Sequence, residues 1–167
     1  ALEVVVAQKD LQGVRIAYVA DISGYGIDHE IAEICRAAAL GLRDAGAEVE
    51  EIEADFSDGR DSFLVLRGES MVGNHFARLD RLDEMGENLA GNIRAGLAVS
   101  ITDIARAEHK RAEIYHRWQA LFRRYDFVLT PTVPVGPFPV EQNYPTTING
   151  QPMASYIDWV AQTFLVS

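Results

Sequence analysis

The sequence predicts an α/β fold: a partial mixed sheet of about three strands, mainly parallel, with flanking helices. Short apolar runs alternate with longer stretches in which apolar residues recur at helical spacing. The first strand, helix and second strand follow within about 40 residues, and such a unit forms a right-handed crossover between parallel strands. The chain is long enough to bury a sizeable core, so we predict one partial α/β domain over residues 1–167.

The first two predicted strands flank one helix. Residues 14–19 form a strand, and residues 21–26 form a loop. Asp28 suits the N-cap of the helix, whose apolar face contains Ile31, Ile34, Cys35, Ala38, Ala39 and Leu42. Gly46 suits the left-handed end of this helix, and residues 47–52 form the second strand.

Three further helices and a third strand are predicted after residue 58. The helical spacing covers residues 63–82, 85–96 and 101–124, and residues 100–103 form an acidic variant of a capping box. Residues 126–129 form a buried strand, and a threonine, Thr130, follows it at once. It stops there because the residues that follow include several that cannot donate to a sheet ladder: Pro131, Pro134, Pro137 and Pro139.

Composition and charge exclude several function classes. The formal charge of −10 argues against contact with nucleic acid or an anionic membrane, because phosphate binding needs clustered cations. No apolar run approaches the roughly 20 residues of a membrane helix, and no signal-peptide pattern opens the chain. The lone Cys35 excludes an internal disulfide and is interpreted as a small buried hydrophobe. Together these features predict a cytoplasmic protein.

Residues 125–134 (YDFVLTPTVP) resemble a YD-x-x-x-TPT-x-P pattern of the amidase signature family. The resemblance extends to residues 11–18 (LQGVRIAY), 28–52, 100–125 and 156–159 (YIDW), and the order and spacing of these segments make it specific. It implies a hydrolase that cleaves a carbon–nitrogen amide bond with a Ser–Ser–Lys triad. It also implies that this chain is a fragment of the amidase signature fold, belonging to a larger mixed sheet.

The catalytic residues of that family are not found in this sequence. No two serines are adjacent, and no Gly-Gly-Ser or Gly-Ser-Ser loop is present. The two lysines, Lys9 and Lys110, lie in a polar step and a charged helix, whereas a lysine base needs burial that lowers its pKa. We therefore assign no catalytic residue, and we expect the chain to be inactive alone. The stop within an apolar pattern at residues 164–167 also favours a fragment.

The resemblance leaves a role for the segment after the third strand. Thr130, Pro131 and Thr132 lie where open α/β sheets place ligand crevices, so they are predicted to form part of a substrate-pocket wall for a small amide. The alternative is a free-standing, non-enzymatic α/β module that binds a small ligand or a partner subunit. Neither the specific amide nor the choice between a stand-alone amidase and an amidotransferase component follows from the sequence.

Three other constellations are interpreted as structural. Gly24-Tyr25-Gly26 between a strand and a helix is similar to a dinucleotide loop, but His29 replaces the third glycine. Glu113 and His116 have the spacing of a di-iron motif without its second copy. The acidic run is interpreted as a solvated face: Glu48, Glu50, Glu51, Glu53, Asp55 and Asp58. We therefore expect neither an organic cofactor nor a metal.

The end of the chain suggests self-association. Residues 156–166 are rich in large apolar side chains and have no evident partner in the sequence. Exposed apolar patches and open sheet edges pair with other chains, so we expect a dimer or larger oligomer.

Overall fold

The computed structural model describes residues 10–153 and 155–167. These residues group into two compact units. One unit comprises the chain up to Ser57 together with Trp118–Ser167, and the other comprises Asp58–Arg117. The single domain expected over residues 1–167 remains a prediction.

A three-stranded parallel sheet forms the centre of the first unit. Strands β1 (Arg15–Tyr18), β2 (Glu48–Glu51) and β3 (Phe127–Leu129) lie in the order β2-β1-β3, and both pairs are parallel. The predicted partial sheet of about three mainly parallel strands is therefore confirmed. Helix α1 (His29–Gly41) provides the crossover from β1 to β2.

The core of this unit forms where β1 meets α1. Ile16 and Tyr18 of β1 pack with Ala39 of α1 and Val49 of β2, and all four side chains are buried. Burial on both faces is the usual state of a central parallel strand, which explains the continuous apolar run of β1. Gly46 has a φ of 94°, so it adopts the left-handed conformation that the sequence predicted.

The second unit is helical. It contains α2 (Arg60–Asn74), α3 (Glu87–Leu97) and the first part of α4 (Ile101–Phe122). The capping box at the start of α4 is confirmed, since the Asp103 N–H donates to Ser100 Oγ at 3.1 Å and the Ser100 N–H donates to Asp103 Oδ2 at 3.1 Å.

The single helix predicted over residues 63–82 is wrong. Helix α2 ends at Asn74, and a 3₁₀ segment at Phe76–Glu84 follows. Its apolar residues recur every third position, which matches the three residues per turn of a 3₁₀ helix: Phe76, Leu79 and Leu82. Gly73 and Asn74 also have poor helix propensity, so the helix ends there at little cost.

The last part of the chain packs within the first unit. A hairpin of β4 (Thr147–Ile148) and β5 (Gln151–Pro152) precedes α5 (Ala161–Phe164). The expectation that residues 156–166 lack a partner is wrong, because Trp118 Nε1–H donates to the Leu165 carbonyl oxygen at 3.1 Å. Several apolar side chains of this segment are buried: Ile157, Ala161, Phe164 and Leu165.

Candidate functional site

The carboxyl ends of the three parallel strands meet at one edge of the sheet. The ladder continues to this edge, where the Val19 N–H donates to the Leu129 carbonyl oxygen at 2.9 Å and the Ile52 N–H donates to that of Tyr18 at 3.0 Å. The chain then leaves the sheet at Thr130, and Pro131 prevents a further ladder bond. Loops at this edge are where open α/β sheets bind ligands.

The three predicted wall residues differ in their exposure. Thr130 is half-buried, and its hydroxyl donates to Gln162 Oε1 at 3.2 Å. Pro131 is almost fully buried, whereas Thr132 is exposed. Thr132 therefore presents its side chain to solvent, while Pro131 is covered by the surrounding protein.

The loop after β1 is organised around the Asp21 carboxylate. Its Oδ1 accepts the N–H groups of Ser23 at 2.8 Å and Gly24 at 3.1 Å, and its Oδ2 accepts the N–H of Gly26 at 2.8 Å. Gly24 and Gly26 have φ values of 73° and 87°, which side chains other than glycine rarely adopt. The two glycines thus allow the backbone to curl around one side-chain anion.

Hydrogen bonding determines the ionisation of Asp21. Burial by itself would raise the pKa of Asp21, but the hydrogen bonds from Ser23, Gly26 and Gln162 outweigh it and lower the pKa. The charged form is therefore favoured. These N–H groups are also the ones that a phosphate would use in a dinucleotide loop, and here they bind the carboxylate of Asp21 instead.

Gln162 is a residue of this edge that the sequence did not indicate. It lies in α5 with 1% of its surface exposed, and its carboxamide contacts both the loop after β1 and Thr130. The sequence signal was a polar residue within the apolar stretch of residues 156–166. A buried polar side chain in such a stretch requires hydrogen-bond partners, so the presence of Gln162 there could have indicated a buried polar contact.

Lys110 does not have the properties of a catalytic base. Its ammonium group binds Glu113 at 2.5 Å and Asp58 at 3.4 Å. The hydrogen bond to Glu113 is the main reason that the pKa of Lys110 is raised, which is opposite to the direction a lysine base requires. Lys9 lies outside the described residues.

The remaining candidate residues have structural roles or lie at the surface. Glu113 also lies 3.3 Å from Nδ1 of the exposed His109, and all six residues of the acidic run are exposed, as predicted. Cys35 is half-buried against the apolar core and not fully buried as expected. Within residues 10–153 and 155–167, no cluster of three His, Cys, Asp or Glu side chains could hold a metal ion.

A cavity of about 500 Å³ lies at the other end of the sheet, near the amino ends of the strands. Its cationic residues already have partners in the protein, since Arg15 pairs with Asp126 at 3.2 Å and Arg43 donates to the Val49 carbonyl oxygen at 2.5 Å. This end of the sheet therefore offers little unpaired positive charge to an anionic ligand. The lining residues are Arg15, Arg43, Ala47, Glu48, Val49, Glu50 and Tyr125.

Comparison with known proteins identifies the family. The family described as Amidase matches residues 5–167. The chain belongs to the amidase family. This chain is 21% identical over 155 residues to an acylamidase of Rhodococcus erythropolis. It is also 27% identical over 175 residues to a component of the glutamyl-tRNA(Gln) amidotransferase of Streptococcus pyogenes serotype M5 (strain Manfredo).

These alignments cover 90% and 89% of the amidase-family chain but 32% and 35% of the two relatives, so the chain spans about a third of their length. Among solved structures, a bacterial aryl acylamidase of the amidase signature family superposes with a TM-score of 0.79 at 20% identity. That superposition covers 94% of this chain and 35% of the other. It supports the same fold.

In the part of the chain that the structure describes, no helix is long and apolar enough to cross a membrane.

Proposed function

We propose that this chain is the non-catalytic portion of an amidase-type hydrolase that cleaves a carbon–nitrogen amide bond. The family match over residues 5–167 is the observation that carries this proposal. The sequence has no adjacent serines and no Gly-Gly-Ser or Gly-Ser-Ser loop, so the nucleophile and its base would come from chain outside these 167 residues. The relatives named as an acylamidase and an amidotransferase component suggest an acyl amide or a related carboxamide as the substrate.

In this proposal, residues 130–132 form part of the wall of the substrate crevice. Thr132 presents an exposed side chain there, whereas the neighbouring Pro131 is buried. The Thr130 hydroxyl is engaged with Gln162, so its role is to hold the wall in place. The hydrolytic step itself belongs to residues outside this chain.

The activity of the isolated chain tests the absence of catalytic residues. We expect no turnover of simple aryl amides and no labelling by a serine-reactive fluorophosphonate, because the sequence lacks the family's serine loop and Lys110 is held in its charged form by Glu113. An intact amidase assayed in parallel is the positive control. Stoichiometric labelling of one serine, with turnover that its mutation to alanine abolishes, would contradict the proposal.

The parent gene tests the other half of the proposal. If the chain is part of a larger amidase, the reading frame upstream of Ala1 encodes a Gly/Ser-rich segment and a lysine that serve as nucleophile loop and base. A natural start codon at this point, with no such segment in the same protein, would instead favour a non-enzymatic module that binds a small ligand or a partner subunit.

A further inference from the structure

The side chain of Gln162 joins two loops that are far apart in the sequence. Its Oε1 accepts the Ile22 N–H at 3.3 Å and the Thr130 hydroxyl at 3.2 Å. Its Nε2 donates to Asp21 Oδ1 at 2.6 Å and to Ser23 Oγ at 3.1 Å. The carboxamide thus makes two bonds from each end, at a site where its residue is 1% exposed.

The chemistry of the partners determines which way this carboxamide points. The Ile22 N–H can only donate, and the ionised Asp21 carboxylate can only accept. A flipped carboxamide would place its oxygen against the carboxylate of Asp21 and its NH₂ group against the Ile22 N–H. One orientation therefore satisfies both loops, and a side chain with only donors, only acceptors or neither cannot replace it.

We propose that Gln162 is a positioning residue that locks the loop after β1 and the segment at residues 130–132 in one relative geometry. It does not contact solvent, so it acts on a ligand through Thr130 and Asp21. Buried polar networks in which every member is satisfied rigidify a structure, because leaving any one group unpaired is costly. The inference rests on the proposed function, since it gives the crevice wall its rigid support.

The positioning role of Gln162 can be tested on the intact chain without any measurement of catalysis. Gln162→Met keeps the length of the side chain and removes its donors and acceptor. We expect amide hydrogen exchange to accelerate by about tenfold or more at Ile22, Gly24 and Gly26, because the substitution removes the four hydrogen bonds that hold these loops to Gln162. Exchange at Glu48, whose N–H bonds to Val14 at the other end of the sheet, should not change. Gln119→Met, in an exposed position of α4, is the matched control.

A second variant separates positioning from simple packing. Gln162→Glu keeps the shape of the residue but places a carboxylate beside that of Asp21. Two carboxylates in contact cannot both ionise easily, so one of the pair titrates at a raised pKa. We expect the amides of the two loops to be well protected in acid, relative to their intrinsic exchange rates, when the pair shares a proton, and to lose this protection as the pH rises. The carbon chemical shift of the Asp21 carboxyl group, followed by NMR, reports this directly.

Several outcomes would overturn the inference. Unchanged exchange at Ile22 and Gly26 in a folded Gln162→Met chain would do so, and so would a Gln162→Glu chain whose Asp21 titrates as in the original. If Gln162→Met fails to fold, Thr130→Val removes one bond of the network and should loosen residues 130–132 selectively. These measurements involve no hydrolysis. A negative result would therefore leave the amidase proposal standing, and inactivity of a larger protein would leave the positioning role of Gln162 standing.

Discussion

At the scale of single residues, Asp21 organises the edge of the sheet where we propose the crevice. Its carboxylate accepts three backbone N–H groups of its own loop and the Nε2 of Gln162. Concave arrangements of backbone N–H groups normally bind external anions. In this chain the anion is a side chain, so the loop is fixed before any ligand binds.

Replacing Asp21 should destabilise the chain in a pH-dependent way. Asp21→Asn would place an NH₂ group against backbone N–H donors, and we expect a loss of about 1–3 kcal/mol of unfolding free energy near neutral pH. The folded pKa of Asp21 is lowered, so its stabilising effect is present above the ordinary aspartate pKa of about 3.9 and is lost as the pH falls through the folded value. The difference between the two chains should therefore shrink in acid.

Urea unfolding at neutral pH and below the ordinary aspartate pKa measures this difference. Asp44→Asn, at an exposed position, is the control and should change stability little. An Asp21→Asn chain with the same stability as the original at neutral pH would show that the carboxylate does not organise the loop.

At the scale of elements, the helix pair α2 and α3 depends on two glycines. An added Cβ at Gly96 would overlap the carbonyl group of Gly68, and one at Gly68 would lie 2.9 Å from Gly96 Cα. The backbones of the two helices are therefore in contact, which a larger residue at either position would prevent. Backbone atoms cannot move aside as a flexible side chain can, so the clash has to be relieved by separating the helices.

Two glycines of the same helix should respond in opposite ways to alanine. Gly96→Ala is expected to lower the stability of the second unit by about 1–3 kcal/mol, because it forces the helices apart. Gly91→Ala, also in α3, meets nothing within 4 Å and should stabilise by about 0.5–1 kcal/mol through helix propensity. Thermal unfolding followed by circular dichroism compares the two, and equal effects would refute the close packing.

At the scale of the whole molecule, the two outer strands of the sheet, β2 and β3, differ in how well their free sides are protected from pairing with another chain. Beside β2, the Arg43 guanidinium donates to the Val49 carbonyl oxygen, and charged residues occupy the strand at Glu48, Glu50 and Glu51. Charges and a covered carbonyl discourage pairing with another strand. At the other edge, β3 carries Phe127 with 55% of its surface exposed. This edge is the better candidate for association.

We therefore expect self-association of the isolated chain to involve β3. Light scattering at protein concentrations on the order of tens of micromolar should detect a dimer or larger species, since open apolar strand edges associate in this concentration range. Phe127→Lys should shift the chain toward monomer, whereas Val140→Lys, at an exposed loop position, should not. A monodisperse monomer of the unaltered chain would contradict the prediction.

Local signals in the sequence were enough to determine the fold class and most element positions. The predicted strands at residues 14–19, 47–52 and 126–129 contain the observed ones, because apolar runs bounded by Gly, Pro and polar residues act over a few positions. The capping box at Ser100 and the left-handed Gly46 followed from the same kind of short-range chemistry. The end of α2 was missed, since the poor helix propensity of Gly73 and Asn74 and a three-residue apolar repeat compete with the helical spacing there.

By itself, the sequence determined a partial parallel sheet, the end of β3 at Leu129, and a resemblance to amidases, which the family match confirmed. Only the tertiary structure decided which side chains meet at the carboxyl ends of the strands and that residues 156–166 pack against the protein. It also decided that the Asp21 carboxylate accepts hydrogen bonds from the N–H groups of its own loop. Gln162 lies 140 residues from Ile22. Periodicity and turn signals describe near neighbours along the chain, whereas a hydrogen bond over that separation exists only once the intervening chain has folded.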